Sequence, residues 1–100
     1  MVHISPCKIN DYKALIQIEK SIFKESISKN GLKSYENHAS HVIWKIEEIK
    51  IIGFVYFFHV KDEIEIIKIC IIKSHQRKNY GSILINEIKK LNVKKVIIKL

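Results

Sequence analysis

Long apolar runs separated by short polar segments characterise this chain. Residues 64–72 are almost wholly apolar and rich in β-branched isoleucine, which predicts a strand buried on both of its faces. A polar segment follows, and from Gly81 the apolar positions recur with the period of a helix. The predicted buried face of that helix consists of Leu84, Ile85, Ile88 and Leu91. This part of the chain therefore predicts a strand, a loop and a helix, in that order.

The N-terminal part of the chain predicts a mixture of extended and helical segments. A short first strand over residues 2–5 is followed by a helix that Asn10 or Asp11 caps and that continues to Phe23. The polar segment over residues 25–40 contains an Asn-Gly turn signal, and we expect it to hold a second short helix.

The remaining segments predict a hairpin and a final strand. Residues 41–47 and 51–58 are strand-like runs joined by a polar turn, which is typical of a hairpin. Residues 61–63 turn the chain into the central strand, and residues 93–100 are predicted to form a last strand parallel to it. We therefore predict an α+β fold in which a mixed sheet of about five strands is flanked by helices.

Length and composition fit a single small domain over residues 1–100, and the hydrophobic fraction of 47% argues against disorder. No apolar run reaches the ~20 residues that a membrane-spanning helix needs. The N-terminus also lacks the apolar segment of a secretory signal. We therefore expect a soluble, cytoplasmic protein that has no membrane partner.

The formal net charge of +8 raises the question of nucleic-acid binding. Of the 18 basic residues, however, 17 are lysine and one is arginine, whereas base-reading and phosphate-reading proteins rely on arginine. The lysines are also scattered along the whole chain. A solvated basic surface is therefore the better interpretation, and we do not expect a nucleic-acid partner.

The cysteine and histidine residues do not form a recognisable metal motif. Cys7 and Cys70 lie too far apart in sequence to form a cluster by spacing, and a cytosolic chain is not expected to bridge them. Cys70 lies within the isoleucine run and is predicted to be a small core residue. His38 and His41 are three residues apart, but they lack a third ligand in the same segment. We therefore expect no metal cofactor.

The loop before the second predicted helix has the chemistry of an anion site. A helix that begins directly after a tight polar loop presents unpaired N–H groups and a partial positive charge at one point. Arg77 and Lys78 add full charges beside that point, which favours a diphosphate as the ligand. An ordinary solvated turn with a few lysines remains the alternative, because one glycine is weak evidence for a motif.

The sequence Gln-Arg-Lys-Asn-Tyr-Gly over residues 76–81 resembles the Q/R-x-x-G-x-G/A loop of the GNAT superfamily of acetyl-CoA-dependent N-acetyltransferases. Within that superfamily the chain is most similar to the bacterial ribosomal-protein-alanine N-acetyltransferases. The resemblance implies a GNAT fold, with acetyl-CoA as co-substrate and with an amine as acceptor. It implies that the main chain ending the central strand pairs with the pantetheine arm at Ile69, Cys70 and Ile71. It implies that the pyrophosphate is held by Gln76, Arg77, Lys78, Asn79, Tyr80, Gly81 and Ser82.

One loop position departs from the family pattern, because Asn79 stands where the family has its first glycine. Asparagine tolerates a left-handed backbone better than other residues that carry a side chain, so we expect the turn to survive. The second glycine of the pattern is present as Gly81, where the helix backbone must approach the ligand.

The catalytic base is less clear than the cofactor loop. The resemblance places the base of the ribosomal-protein branch on the last strand, but Lys99 occupies that position, and a lysine is protonated at neutral pH. Glu65 lies at the distance from the loop that matches the strand glutamate of the histone-acetylating branch, so we predict Glu65 as the base, with Glu63 as a weaker substitute. A structural glutamate that faces solvent or pairs with a lysine remains the alternative.

The chain stops before the C-terminal helix and two strands that the resemblance implies, so we expect a GNAT domain lacking them, with a last strand that could pair in a homodimer. The predicted function is acetyl transfer to an amine, in particular to a protein N-terminal amino group. The alternatives are a degenerate GNAT domain that binds coenzyme A without turnover, favoured by Lys99, and a basic interaction module, favoured only by the charge.

Overall fold

A five-stranded mixed sheet with a helix on each face forms the fold. The computed structural model describes residues 2–22, 40–91 and 93–98. In chain order the elements are β1 (His3–Pro6), α1 (Tyr12–Ile22), β2 (His41–Glu47), β3 (Ile51–Val60), β4 (Glu63–Ile71), α2 (Tyr80–Lys89) and β5 (Lys95–Ile98). The strands lie side by side in this order, antiparallel from β1 to β4, with β5 parallel to β4. The predicted α+β fold is confirmed.

Two apolar cores lie on opposite faces of the sheet because side chains alternate along each strand. The larger core joins α2 to one face and is centred on Val55, Phe57, Ile64, Ile66, Leu84 and Ile88. The smaller core joins α1 to the other face and consists of Leu15, Ile18, Phe54 and Cys70. The central strands β3 and β4 are therefore covered on both sides, as the apolar run over residues 64–72 predicts.

The helix boundaries differ from the prediction in two places. α2 ends at Lys89, so Leu91 lies beyond it and is 36% exposed; its predicted place on the buried face is wrong. Before α1, a single 3-10 turn at Ile9–Asp11 precedes the helix, and the Asp11 carboxylate accepts a bond of 2.9 Å from the Lys8 main-chain N–H. Asp11 therefore caps the preceding turn and not α1 itself.

The strand predictions hold with small changes of length. The predicted hairpin is confirmed as β2 and β3, with β3 extending to Val60, and the predicted parallel last strand is confirmed as β5. Pro6 lies within β1, at the edge of the described sheet, where its missing N–H costs least. The predicted helix over 25–40 falls almost wholly outside the described residues, as do Phe23 and Lys99. Within those residues no helix is long and apolar enough to span a bilayer.

Gly53 allows β3 and β4 to approach closely at the end of the central strand. A Cβ added at Gly53 would collide with the Cys70 main-chain oxygen and would lie 2.6 Å from Ile71 Cδ1 and 3.3 Å from Ile46 Cγ2. No side chain larger than hydrogen fits there without a shift of the backbone. This contact fixes the part of β4 that leads into the loop at residues 72–79.

Candidate functional site

β5 pairs with only the first four residues of β4, and this leaves an open edge on the central strand in the described part of the sheet. The parallel pairing begins at Glu63 with Lys95 and ends at Ile66 with Ile98. β4 continues to Ile71 without a described strand beside this part of its edge. A stretch of main chain is therefore available for an extended ligand on the side of β4 away from β3.

The pairing of β4 with β3 decides which groups face that open edge. The N–H of Ile72 donates to the Ile52 oxygen at 2.9 Å. Because hydrogen-bonded pairs alternate along an antiparallel ladder, Cys70 directs its main chain at Phe54 on β3, whereas Ile69 and Ile71 direct theirs at the open edge. Of the three residues predicted to pair with pantetheine, Ile69 and Ile71 thus direct main-chain groups at the open edge, and Cys70 does not.

β4 contains a bulge at the position where its pairing with β5 ends. Tyr56 pairs with Lys68 and Phe57 pairs with Ile66, so Ile67 is an extra residue without a partner on β3. A bulge bends the strand and redirects the groups next to it. The bulge therefore places a change of main-chain direction at the end of the open edge that lies farther from the loop.

The loop after β4 contains two residues with a left-handed backbone. Arg77 has a φ of 63°, and Asn79 has a φ of 65° and a ψ of 17°. The left-handed conformation expected of Asn79 is confirmed. Asn79 directly precedes α2, and its oxygen accepts the bond from Ile83 N–H at 3.0 Å. Left-handed residues in such a turn gather successive N–H groups into a concave, anion-attracting surface at the start of the helix.

This loop and the first turn of α2 enclose a pocket of about 260 Å³. The residues around it are Ile71, His75, Gln76, Arg77, Asn79, Tyr80, Gly81 and Ser82. Most of the residues predicted to bind coenzyme A therefore meet at one place, and His75 is an addition that the sequence did not suggest. A Cβ added at Gly81 would meet no protein atom within 4 Å, so the space above the helix start is open. The pocket thus has the donors and the room that a diphosphate needs.

The remaining predicted cofactor residues lie around this pocket in different ways. Lys78 is exposed on the same loop and does not line the pocket. The Gln76 amide donates from Nε2 to the Ile71 oxygen at 2.9 Å, and so ties the loop to the end of β4. Cys70 is 1% exposed and packs on the opposite face, against α1. Its prediction as a core residue is confirmed.

The sequence model of the acetyltransferase (GNAT) family matches residues 11–95 of the chain. The chain belongs to this family. None of the curated proteins compared with it is significantly similar in sequence. The structural neighbours below are acetyltransferases by their descriptions, and each shares the fold with this chain.

Three solved structures show the range of these neighbours. The ribosomal-protein-S18-alanine N-acetyltransferase from Escherichia coli has a TM-score of 0.77 and 21% identity, and the match covers 90% of this chain and 58% of that one. An aminoglycoside acetyltransferase from an uncultured soil metagenomic sample, in complex with sisomicin, has a TM-score of 0.81 and 17% identity, with coverages of 99% and 77%. The glucosamine-6-phosphate N-acetyltransferase from Arabidopsis thaliana has a TM-score of 0.74 and 18% identity, with coverages of 100% and 82%. The chain therefore spans less than two thirds of the Escherichia coli enzyme.

Glu48 adds a negative charge to the rim of the loop pocket. The Tyr80 hydroxyl donates to Glu48 Oε2 at 2.7 Å, and His75 Nε2 lies 3.7 Å from Glu48 Oε1. The bond from Tyr80 holds the pKa of Glu48 below its usual range and raises the pKa of Tyr80 above its own. Glu48 lies 32 residues before Tyr80, and no local pattern in the sequence connects the two.

Glu65, the predicted base, lies on β4 between Phe58 of β3 and Ile97 of β5. It is partly buried and lines a pocket of about 160 Å³ on the face that carries α1. Ile71 lies six positions farther along the strand, which corresponds to about 20 Å. The structure therefore places Glu65 near the far end of the open edge and away from the loop that would hold the diphosphate.

The same face of the GNAT sheet carries polar groups that the sequence did not indicate. Glu19 of α1 is 2% exposed and accepts a bond of 2.7 Å from Lys68 of β4. Tyr56 and His41 share a bond of 2.8 Å on the neighbouring strands. A buried carboxylate requires such a partner, because an unpaired charge in the interior is costly. Among the described residues no three metal-ligating side chains come together.

The Cys70 thiol is expected to be a poor nucleophile at neutral pH. Burial, with the nearby charge of Glu19 as the second cause, raises its pKa to about 12. A thiol becomes a nucleophile only as the thiolate, and at neutral pH Cys70 is therefore fully protonated. Although Cys70 lies on the central strand, it is therefore a packing residue of the smaller core.

Proposed function

We propose that this GNAT domain is an N-acetyltransferase that transfers the acetyl group of acetyl-CoA to an amine. The observation that carries the proposal is the continuity of the loop pocket with the open edge of β4. The pocket offers N–H groups and Arg77 to a diphosphate, and the edge offers the main chain of Ile69 and the N–H of Ile71 to a pantetheine arm, since the Ile71 oxygen already accepts the Gln76 amide. A single extended donor molecule can use both.

In the proposed reaction the acceptor nitrogen forms a bond to the acetyl carbonyl carbon and the carbon–sulfur bond breaks. Coenzyme A leaves as the thiolate, which takes up the proton that the nitrogen loses when it becomes an amide. Acetyl-CoA supplies the activated acyl group. The protein must remove a proton from the acceptor ammonium before the attack, and we propose Glu65 for that role. Its place near the far end of the open edge supports the proposal, because the reactive end of the donor lies farthest from the diphosphate.

A protein N-terminal amino group is the acceptor that we propose. The loop resemblance and the similarity to the Escherichia coli ribosomal-protein enzyme support it, whereas other neighbours act on an aminoglycoside or on glucosamine 6-phosphate. Turnover with a peptide that begins with alanine, measured beside these two amines at equal concentration, decides between the three classes. Equal or faster acetylation of either small amine would overturn the proposed acceptor.

A domain that binds coenzyme A without turnover is the second candidate function. Lys99 favours it, because a lysine occupies the position where the resemblance places a carboxylate base. The discriminating variant is Glu65→Gln, with Glu63→Gln as the matched control on the same strand. We expect Glu65→Gln to lower kcat by about 10²-fold or more without changing acetyl-CoA affinity. Binding without turnover in the unaltered protein would establish the second function instead.

The first experiment is calorimetric titration of acetyl-CoA into the purified protein. The matched variants are Gly81→Ala and Gly81→Glu, because a Cβ at this position meets no protein atom within 4 Å and the fold should tolerate both. We expect binding by the unaltered protein, weaker binding by the alanine variant and none by the glutamate variant, whose carboxylate repels the diphosphate. No binding by the folded unaltered protein would overturn the proposed function.

We also propose that a second copy of the chain pairs with the exposed edge of β5. Val96 and Ile97 are half-buried and Ile98 is 49% exposed, so this strand presents apolar side chains beside unpaired main chain in the described part of the sheet. Light scattering across a concentration series tests the pairing. A constant monomer mass at the highest concentration would contradict it.

A further inference from the structure

The turn between β2 and β3 reaches the rim of the diphosphate pocket through Glu48. Its carboxylate accepts the Tyr80 hydroxyl at 2.7 Å and lies 3.7 Å from the His75 ring nitrogen. The His75 and Tyr80 rings lie 5.9 Å apart between their centres, and both residues line the pocket. The turn is itself closed by a bond of 3.0 Å from Glu48 N–H to the Lys50 oxygen. A hairpin remote in sequence is thus tied to the loop.

The charge of Glu48 is opposite to what simple attraction of an anion requires. A carboxylate near a diphosphate repels it, and the cations Arg77 and Lys78 on the loop offset part of that repulsion. Glu48 therefore cannot assist binding by electrostatic attraction of the ligand. The contact that Glu48 makes is with Tyr80, which is the first residue of α2.

Tyr80 occupies the point where a small shift would most affect the loop. It directly follows the left-handed Asn79, and the first helical bond, from Ile83 N–H to the Asn79 oxygen, spans it. The N–H groups at this point have no partners within the helix and are the ones that a diphosphate would use. A tether on the Tyr80 side chain therefore restrains the direction of these donors.

We propose that Glu48 is a positioning residue of the diphosphate pocket, where its bond from the Tyr80 hydroxyl holds the first turn of α2 in the geometry that binds the donor. This inference rests on the proposed function, because it names a determinant of affinity for acetyl-CoA. Glu48 does not touch the reacting atoms. It acts through Tyr80 and orders main-chain donors before the ligand arrives, which lowers the cost of binding.

Three variants separate the tether from the charge. Glu48→Ala removes both, Tyr80→Phe removes the tether but keeps the charge, and Glu48→Gln keeps a hydrogen-bond acceptor but removes the charge. If Glu48 acts only by its charge, Glu48→Ala binds acetyl-CoA more tightly than the unaltered protein. If it positions Tyr80, Glu48→Ala and Tyr80→Phe both bind more weakly, by about three- to tenfold, and Glu48→Gln retains most of the affinity.

The double variant and a control complete the test. Glu48→Ala combined with Tyr80→Phe should bind no more weakly than either single variant, because each removes the same bond. Glu87→Gln is the matched control, since it removes a carboxylate of α2 that pairs with Lys90 at 2.8 Å and lies outside the pocket. Additive losses, or tighter binding by Glu48→Ala, would overturn the proposal.

Two further measurements keep this result separate from the proposed function itself. S-acetyl-pantetheine lacks the diphosphate, so its affinity should be unchanged in all of these variants. Hydrogen exchange of the Ile83 amide reports opening of the first turn of α2 without any ligand, and it should be faster in Glu48→Ala and Tyr80→Phe. If the unaltered protein does not bind acetyl-CoA, the proposed function is wrong. If exchange of the Ile83 amide is also the same in the variants as in the unaltered protein, the proposed role of Glu48 is wrong as well.

Discussion

Replacement of Gly53 by alanine tests the close approach of β3 and β4 beside the site. The added methyl group would collide with the Cys70 main-chain oxygen and lie 2.6 Å from Ile71 Cδ1. A flexible side chain could move away at small cost, but the Cys70 oxygen belongs to a strand paired on β3 and cannot. The backbone of β3 or β4 must therefore shift.

The size of the effect follows from the cost of overpacking. Extra methyl groups in a well-packed interior typically cost 1–3 kcal/mol, and we expect Gly53→Ala near the upper end, about 3 kcal/mol, because a main-chain atom is in the way. With a urea dependence of about 1–3 kcal/mol per molar, typical of small proteins, the unfolding midpoint should fall by more than about 1 M. Equilibrium unfolding in urea, followed by circular dichroism, measures this change.

Gly81→Ala is the matched control for Gly53→Ala, because it makes the same chemical change where an added Cβ meets nothing within 4 Å. Gly81 lies inside α2, so alanine there should stabilise the protein by about 0.5–1 kcal/mol. The two variants are thus expected to shift the midpoint in opposite directions. An unchanged midpoint in Gly53→Ala, at an unchanged urea dependence, would refute the steric reasoning.

Three other predictions concern single residues. Asn79→Ala should cost about 1 kcal/mol in urea unfolding, because alanine is strained at a φ of 65°, whereas Asn79→Gly should cost almost nothing; equal costs would contradict the left-handed turn. Although burial opposes the shift, the bonds of Asp11 to Lys8 N–H and to Lys45 at 2.9 Å lower the pKa of its carboxyl below 3.8. Their stabilisation is present above the unfolded-state pKa and is lost as the pH falls through the lower folded-state pKa, so Asp11→Asn should flatten the acid end of a stability profile. Cys70, with a pKa of about 12, should react with a thiol reagent at pH 8 only after unfolding, and reaction in the folded protein would show that the core around it opens.

Several elements followed from the sequence because their causes are local. The isoleucine run predicts β4, the change of period predicts α2, and the two runs around a polar turn predict the hairpin. The left-handed backbone of Asn79 also follows from residue type, since asparagine accepts this conformation with modest strain. Each of these predictions depends on neighbours within a few residues along the chain.

Other features depend on which strands meet and in what register, and only the tertiary structure decided them. The register of β3 on β4 turns the main chain of Cys70 toward Phe54, so Cys70 does not face the open edge as the resemblance implies. The same packing leaves no room for a side chain at Gly53. The end of α2 at Lys89 leaves Leu91 exposed.

The loop after β4 also has some features that depend on local sequence and others that depend on the tertiary structure. The sequence predicts a tight turn with a left-handed asparagine and basic residues after β4, because these features depend on the local backbone and on residue type. The partner of that turn, Glu48, comes from a hairpin 32 residues before Tyr80, and it lies at the rim because the turn between β2 and β3 is at the end of the sheet where β4 ends. Contacts of this kind are set by the three-dimensional path of the chain, and a one-dimensional pattern does not record them.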